Sequence, residues 1–295
     1  MLGELGHLLL APLEGGVDLL VMVALVALLA LHRESLRAHW RRGLVVGLLV
    51  LALAVPQHLT TLIYLEPDRL FGGSGLGGSE ELQRVARGAT FAGVTLGAVV
   101  GTVVRMVWYT AICCVAVEEW RRLRPQAPLL GSSLRSRVGP LVGALAVGLV
   151  VGTLSALVFH VAAVDSGPAL KALEAYFPRL ADASPWVRTL VVLPLGVYAA
   201  LVEELVFRGA LLGFLLRVGR ERRWVGAAAM VLTSITWALL HLSVTDAPGL
   251  KLAQIFLVGL GLAAMTRRWG LEAAILAHLG LNLAGLAGFW ALAGG

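Results

Sequence analysis

Glu203, Glu204 and Arg208 stand in "LVEELVFRGALL", residues 201–212, inside an apolar run from about Trp186 to Leu216. An ionisable side chain at the centre of a membrane span costs on the order of 3 kcal/mol on insertion scales, so it is seldom there without a role. Glutamates in such a place can act as general bases, ligate a divalent ion or relay protons. Glu204 and Arg208 are four apart, so they share a helix face and can pair. Pairing keeps Glu204 ionised and spares the bundle two lone buried charges. Glu203 is rotated by about 100° and is less well placed for the arginine. One glutamate reads as structural, the other as available for chemistry.

Three further polar residues complete a constellation. His241 stands near the end of the next apolar run, and His278 and Asn282 lie in the last one. The spans holding Glu203 and His241 are joined by the basic turn "VGRERRW" and run antiparallel. Glu203 lies about 14 residues before Arg217, and His241 about 17 after Trp224. At 1.5 Å per residue both side chains are roughly 20 to 25 Å from that basic end. His278 is roughly 15 Å in, with Asn282 one turn further on the same face. Three helices thus bring a carboxylate, two imidazoles and an amide toward one layer.

Two kinds of hydrolytic chemistry fit this set. In one, Glu203 is the general base, and His241 holds and polarises a water for attack on a peptide carbonyl. His278 and Asn282 then donate hydrogen bonds to the oxyanion. In the other, Glu203, His241 and His278 hold a divalent metal, zinc being the obvious candidate, which lowers the pKa of its water. No H-E-x-x-H motif is present, so a zincin-like site is not indicated. A proton-coupled transporter would use the same residue types. It would also show inverted repeats or broken helices in two related halves, and neither is visible.

The elements that must position these groups are membrane helices. Of 295 residues, 58% are hydrophobic and 14% charged, against about 25% charged in an ordinary soluble domain. Apolar runs long enough to cross a hydrocarbon core recur along the chain. They predict an all-α, polytopic transmembrane bundle of about eight spans, at about 17–32, 43–65, 88–117, 138–163, 187–216, 224–243, 250–266 and 271–291. Small-residue steps such as "GVTLGAVVG" favour close helix packing. Residues 1–137 read as accessory helices and 138–295 as the catalytic bundle.

Loop charges orient the chain. The loops after the first, third, fifth and seventh spans hold fifteen basic residues, among them Arg41, Arg42, Arg121, Arg122, Arg217 and Arg267. The other three loops hold seven, diluted by acids. The basic loops are therefore expected in the cytoplasm and both termini outside, in a multi-pass cytoplasmic-membrane protein. The +6 formal charge sits in these short clusters, which argues against nucleic-acid binding. The first 16 residues lack a basic n-region, so no secretory signal peptide is expected.

Remaining polar positions read as structural. Arg105 is expected to pair or face a water-filled cavity, His160 to be interfacial, and His58 to line a kink near Pro56. Glu118 and Glu119 in "VEEWRR" read as an ordinary interfacial charge cluster. Cys113 and Cys114 lack metal-ligand spacing and read as small buried hydrophobes. The segment 164–186 reads as a solvated connector.

The motifs carry a resemblance. "EELVFR" matches E-E-x-x-x-R, "WALLH" resembles F-x-x-x-H with Trp237 in place of the Phe, and "HLGLN" matches H-x-x-x-N. In order and spacing they resemble the CPBP family of intramembrane proteases, which includes CAAX proteases of the Rce1 type and bacteriocin-processing enzymes. The resemblance covers about residues 140–290, and the 22 arginines against two lysines look bacterial in style. It implies that Glu203 with His241 activates water, that Glu204 and Arg208 support them, and that His278 and Asn282 bind the oxyanion. It implies a protein or peptide substrate in or at the membrane, and leaves the metal question open. Trp237 departs from the pattern and alters the wall of the substrate cavity. A catalytically silent member, acting as an immunity or scaffolding protein, would be expected to lose a motif residue, and none is missing.

Overall fold

The computed structural model describes residues 23–31, 33–64, 103–104, 106–123, 134–164, 185–219, 222–241 and 247–293. Among these the chain is helical throughout, with no strand. The helices are α1 (23–31), α2 (Arg33–Tyr64), α3 (106–123), α4 (Leu134–Val161), α5 (Pro185–Glu204), α6 (Gly213–Val218), α7 (Arg223–Leu239), α8 (Pro248–Trp269) and α9 (Leu271–Ala293). A π-helical segment, Leu205–Leu212, joins α5 to α6 without a break. Val138–Val161, Pro248–Trp269 and Leu271–Gly288 are each long and apolar enough to cross a membrane. Arg105 and most of the connector at 164–186 lie outside the described residues, as do the side chain of His58 and much of the first and third expected spans.

The distribution of side chains is that of a bundle in lipid. On α4, Val142, Val150, Leu154, Leu157 and Val161 are exposed, while Ala144 is buried. With hydrocarbon as the solvent, large apolar residues face outward, and close backbone approach holds the helices together. A Cβ at Gly148 would stand 1.9 Å from the Ala277 carbonyl oxygen, and one at Gly280 2.5 Å from that of Leu145. Gly152 likewise meets the Leu281 carbonyl, and Gly288 meets Ala156. Gly148–Ala277, Gly152–Leu281 and Ala156–Gly288 advance together along both helices, so α4 and α9 run parallel.

Other pairings set the remaining directions. Gly226 meets Arg267 and Gly259 meets Ser234, so α7 and α8 are antiparallel. Tyr109 meets Tyr198, Ala116 meets Gly209 and Glu119 meets Gly213, so α3 runs parallel to the α5–α6 rod. These directions gather Arg122, Arg217 and Arg267 at one end of the bundle.

Several boundaries differ from expectation. Arg37, Arg41 and Arg42 lie not in a loop but in the first three turns of α2, and Arg121 and Arg122 close α3. Basic residues mark a membrane boundary without marking a helix end. Glu119 is wholly buried, and Arg217 donates to both its oxygens, Nε–Oε2 at 2.6 Å and Nη2–Oε1 at 3.0 Å. That bond holds Arg217 above its already high ordinary pKa. It corrects the reading of Glu119 as part of an ordinary interfacial charge cluster. Glu118 instead accepts from Arg122 and bonds His39 at 2.8 Å. Burial raises its carboxyl, but the two hydrogen bonds outweigh that and hold it below the usual range. Cys113 and Cys114 are buried and unpaired, and His160 is exposed.

The glycine contacts predict a measurable asymmetry. Gly148→Ala should lower unfolding stability in detergent by about 1 to 3 kcal/mol, because a backbone must move. Gly139→Ala, with nothing within 4 Å, should stay within about 0.5 kcal/mol. Equal responses in the two variants would contradict the α4–α9 packing.

Candidate active site

Glu203 and Glu204 end α5, where the backbone changes from α to π winding. π segments recur at functional sites because they re-aim side chains within a continuous rod. Here the segment is buried almost throughout, Arg208 included. Its outer wall is closed by small contacts: a Cβ at Gly209 would stand 2.6 Å from the Ala116 side chain.

Glu204 is the centre of a buried charge cluster. Its Oε1 accepts from Arg208 Nη1 at 3.1 Å and from His278 Nδ1 at 2.9 Å, and all three residues are buried. The π winding therefore preserves the i, i+4 pair expected between Glu204 and Arg208. A second guanidinium nitrogen, Nη2, reaches the Gly259 carbonyl at 3.4 Å. Gly259 allows this: a Cβ there would stand 2.9 Å from Ser234 Cβ and 3.1 Å from Trp237 Cε3. The missing side chain lets α8 come close enough for its backbone to serve Arg208.

Glu203 faces elsewhere. Its Oε2 accepts a short hydrogen bond from Trp237 Nε1, and His241 Nε2 lies 3.9 Å from the same oxygen. The Glu203 and His241 side chains are 25% and 23% exposed, whereas Glu204 and Arg208 are at zero. One glutamate is thus sealed, and its neighbour is open to a reactant. His241 is not inside a helix as expected; α7 ends at Leu239 and the imidazole sits in the following turn. Its Nδ1 lies 2.9 Å from the Trp237 carbonyl oxygen. A carbonyl only accepts, so Nδ1 carries a proton and donates it there, and Nε2 is the nitrogen that faces Glu203.

Trp237 joins the two halves. It is 1% exposed, and its ring packs edge-on against both imidazoles, with centroids 5.4 Å from His241 and 5.3 Å from His278. The Arg208 guanidinium lies 4.3 Å from the same ring centroid, a cation–π contact in a desolvated place. Expected as a wall, this side chain touches Glu203, Arg208, His241 and His278. The signal was in the sequence: Trp in place of Phe adds an N–H that must find an acceptor when buried.

Asn282 donates Nδ2 to the Gly196 carbonyl at 3.0 Å. That orients the amide from α9 toward α5 and leaves its second N–H free to donate. The helices thus assemble Glu203, His241, Trp237 and His278, with Asn282 on the same face of α9 one turn beyond His278. Glu203, His241 and His278 do not converge as a ligand set, since His278 Nδ1 is turned to Glu204 and the Trp237 ring lies against both imidazoles. Among the described residues no three His, Cys, Asp or Glu side chains stand close enough to hold a metal ion.

Residues 185–284 match the family model of type II CAAX prenyl endopeptidase Rce1-like proteins. Neither the curated proteins nor the solved structures gave a match. The matched segment runs from the start of α5 to the middle of α9 and contains the whole charge cluster, Trp237, both histidines and Asn282. Over this segment, about a third of its length, the chain is similar to Rce1-like CAAX endopeptidases.

Proposed function

We propose that the protein is an intramembrane endopeptidase that hydrolyses a peptide bond in a membrane-associated or lipidated protein, with a water activated by Glu203 and His241. The observation that carries this reading is the 3.9 Å gap between Glu203 Oε2 and His241 Nε2. Two acceptors that far apart are close to the bite of one water. A water donating to both at ordinary lengths would separate them by roughly 4.4 Å. Both protons would then be engaged, and a lone pair would face the scissile carbonyl. Glu203 takes one proton as the water attacks, and returns it to the leaving amine.

The oxyanion forms between His278 and Asn282. Asn282 offers its free N–H, and His278 offers Nε2–H in its doubly protonated form, the ring being held by Glu204 through Nδ1. In that form Glu204, Arg208 and His278 sum to one positive charge, which the oxyanion neutralises. Donors fixed in a dry site need no reorganisation as charge develops, and each can be worth roughly 3 to 4 kcal/mol. Arg208 supports the arrangement through Glu204, and Trp237 positions Glu203.

The remaining assignments follow from this reading. Residues 138–295 form the catalytic bundle, and 1–137 are accessory. The Glu119–Arg217 bond and the Tyr198–Tyr109 hydroxyl bond at 3.0 Å link the two parts. The chain lies in the cytoplasmic membrane with its arginine-rich end in the cytoplasm, its termini outside and the catalytic residues in the outer half.

Two variants test the mechanism in purified protein cleaving a peptide in detergent. His241→Ala should lower turnover by about 10²-fold or more, the usual contribution of a positioned proton-handling group. Full activity in that variant would contradict the water-holding role. Trp237→Phe keeps the aromatic shape and removes one charge-assisted hydrogen bond, worth about 1.5 to 3 kcal/mol. It should lower kcat roughly ten- to hundredfold, with a loss of unfolding stability no larger than about 1.5 to 3 kcal/mol. Loss of stability with kcat preserved would make Trp237 a packing residue only.

A further inference from the structure

Four buried side-chain atoms among the described residues have no hydrogen-bond partner: Glu204 Oε2, Arg208 Nε, Ser234 Oγ and Gln254 Oε1. The first three belong to residues that are wholly sealed, in the charge cluster and on the α7 face beside it. Gln254, in the second turn of α8, differs. The residue is only half-buried, so its amide is within reach of a reactant, yet its oxygen is turned in and lacks a donor.

The register of α8 puts this amide close to the reactive pair. Gly259 meets Ser234 and Gly226 meets Arg267, which sets Gln254 level with the stretch between Trp237 and His241. Residues three apart share a flank of a helix. Lys251, three before Gln254, has its Nζ 5.6 Å from the centre of the Phe159 ring of α4 and close enough to Glu203 for the two charges to interact. Gln254 also stands where α8 turns from lipid to interior: Ile255 is 4% exposed and Leu257 66%. The amide therefore lies at the lipid edge of the gap between α8 and α4, at the depth of the proposed chemistry.

A buried carbonyl oxygen without a donor costs about 1 to 3 kcal/mol, and hydrocarbon holds no water to relieve it. Methionine or leucine would fill a similar volume without that penalty, so the amide does nothing for the resting fold. An incoming peptide supplies what is lacking. A membrane-embedded segment must leave its helix before a base can reach one of its carbonyls. Each opened residue then presents an N–H and a C=O that lipid cannot satisfy. A glutamine amide carries an acceptor and two donors side by side, which complements one peptide group. A lipid phosphate is the weaker candidate, because Gln254 has no charge to hold it.

We propose that the Gln254 side-chain amide hydrogen-bonds a main-chain peptide group of the substrate near the cleaved bond, holding that stretch extended in the gap between α4 and α8. The inference rests on the endopeptidase reading and adds to it a binding residue that reads backbone. The substrate class is a segment that can be drawn out of its helix, whatever side chains it carries there.

The test uses the full chain in detergent and a fluorescein-labelled peptide with an apolar segment. Analogues carry an ester in place of each main-chain amide in turn, other than any cleaved bond. An ester keeps the shape, removes the N–H and weakens the carbonyl as an acceptor. Binding, kcat/KM and unfolding are measured for wild type, Gln254→Met and Gln254→Leu. In wild type one ester position should cost about tenfold in binding and in kcat/KM, well beyond the others. In both variants that position should cost no more than its neighbours, and the all-amide peptide should lose about tenfold. Their unfolding transitions should be unchanged or raised. The same ester profile in wild type and variants would overturn the proposal and leave the protease reading intact. So would an equal loss on every peptide, which would assign Gln254 to the fold alone. A Gln254-dependent ester profile in binding, with no cleavage by wild type, would support the peptide contact and remove the protease reading. Binding of none of the peptides would sink both.

Discussion

A carboxylate sealed in an apolar bundle must be neutralised, and that requirement organises the rest of the protein. Glu204 meets it with two partners on one oxygen, Arg208 from its own rod and His278 from α9. Arg208 in turn needs acceptors, which brings the backbone of α8 in at Gly259 and the face of Trp237 down from α7. Every helix around the site is thus tied to one buried charge. The arrangement is costly to assemble and costly to disturb, because removing one partner leaves the others charged and unsolvated. Stability and site geometry are therefore the same problem here.

The division between adjacent glutamates follows from that. Consecutive residues on a helix point about 100° apart, so Glu203 cannot share the sealed cluster and turns to the partly open side. There Trp237 holds one oxygen and the turn after α7 supplies His241. Trp237 is the physical bridge: its ring face takes the arginine, its edge carries the N–H to Glu203, and its flanks set both imidazoles.

What was legible in the sequence was local. The fold class could be read from hydropathy, because in lipid every backbone polar group must be satisfied within a helix. The Glu204–Arg208 pair could be read from a spacing of four. The neighbouring placement of Glu203 and His241 could be read from depth along two helices that share a turn. What could not be read was the choice of partner across long separations. Depth and the face shared with Asn282 group His278 with the reactive set, yet its Nδ1 is claimed by Glu204, 74 positions away. Glu119 reads as one charge in an interfacial cluster, yet Arg217, 98 positions on, holds both its oxygens. The π segment has no signature in spacing, and the basic residues of α2 mark charge without marking a helix end.

The central claim is that two adjacent carboxylates do different jobs, and an isosteric swap at each separates them. Unfolding and peptide turnover would be measured side by side for Glu203→Gln and Glu204→Gln in detergent. The account predicts that Glu203→Gln unfolds within about 0.5 kcal/mol of wild type and has lost turnover. It predicts that Glu204→Gln loses about 3 to 5 kcal/mol of stability, since Arg208 is left as an uncompensated buried charge. Equal destabilisation by the two variants, or turnover that survives in Glu203→Gln, would contradict it.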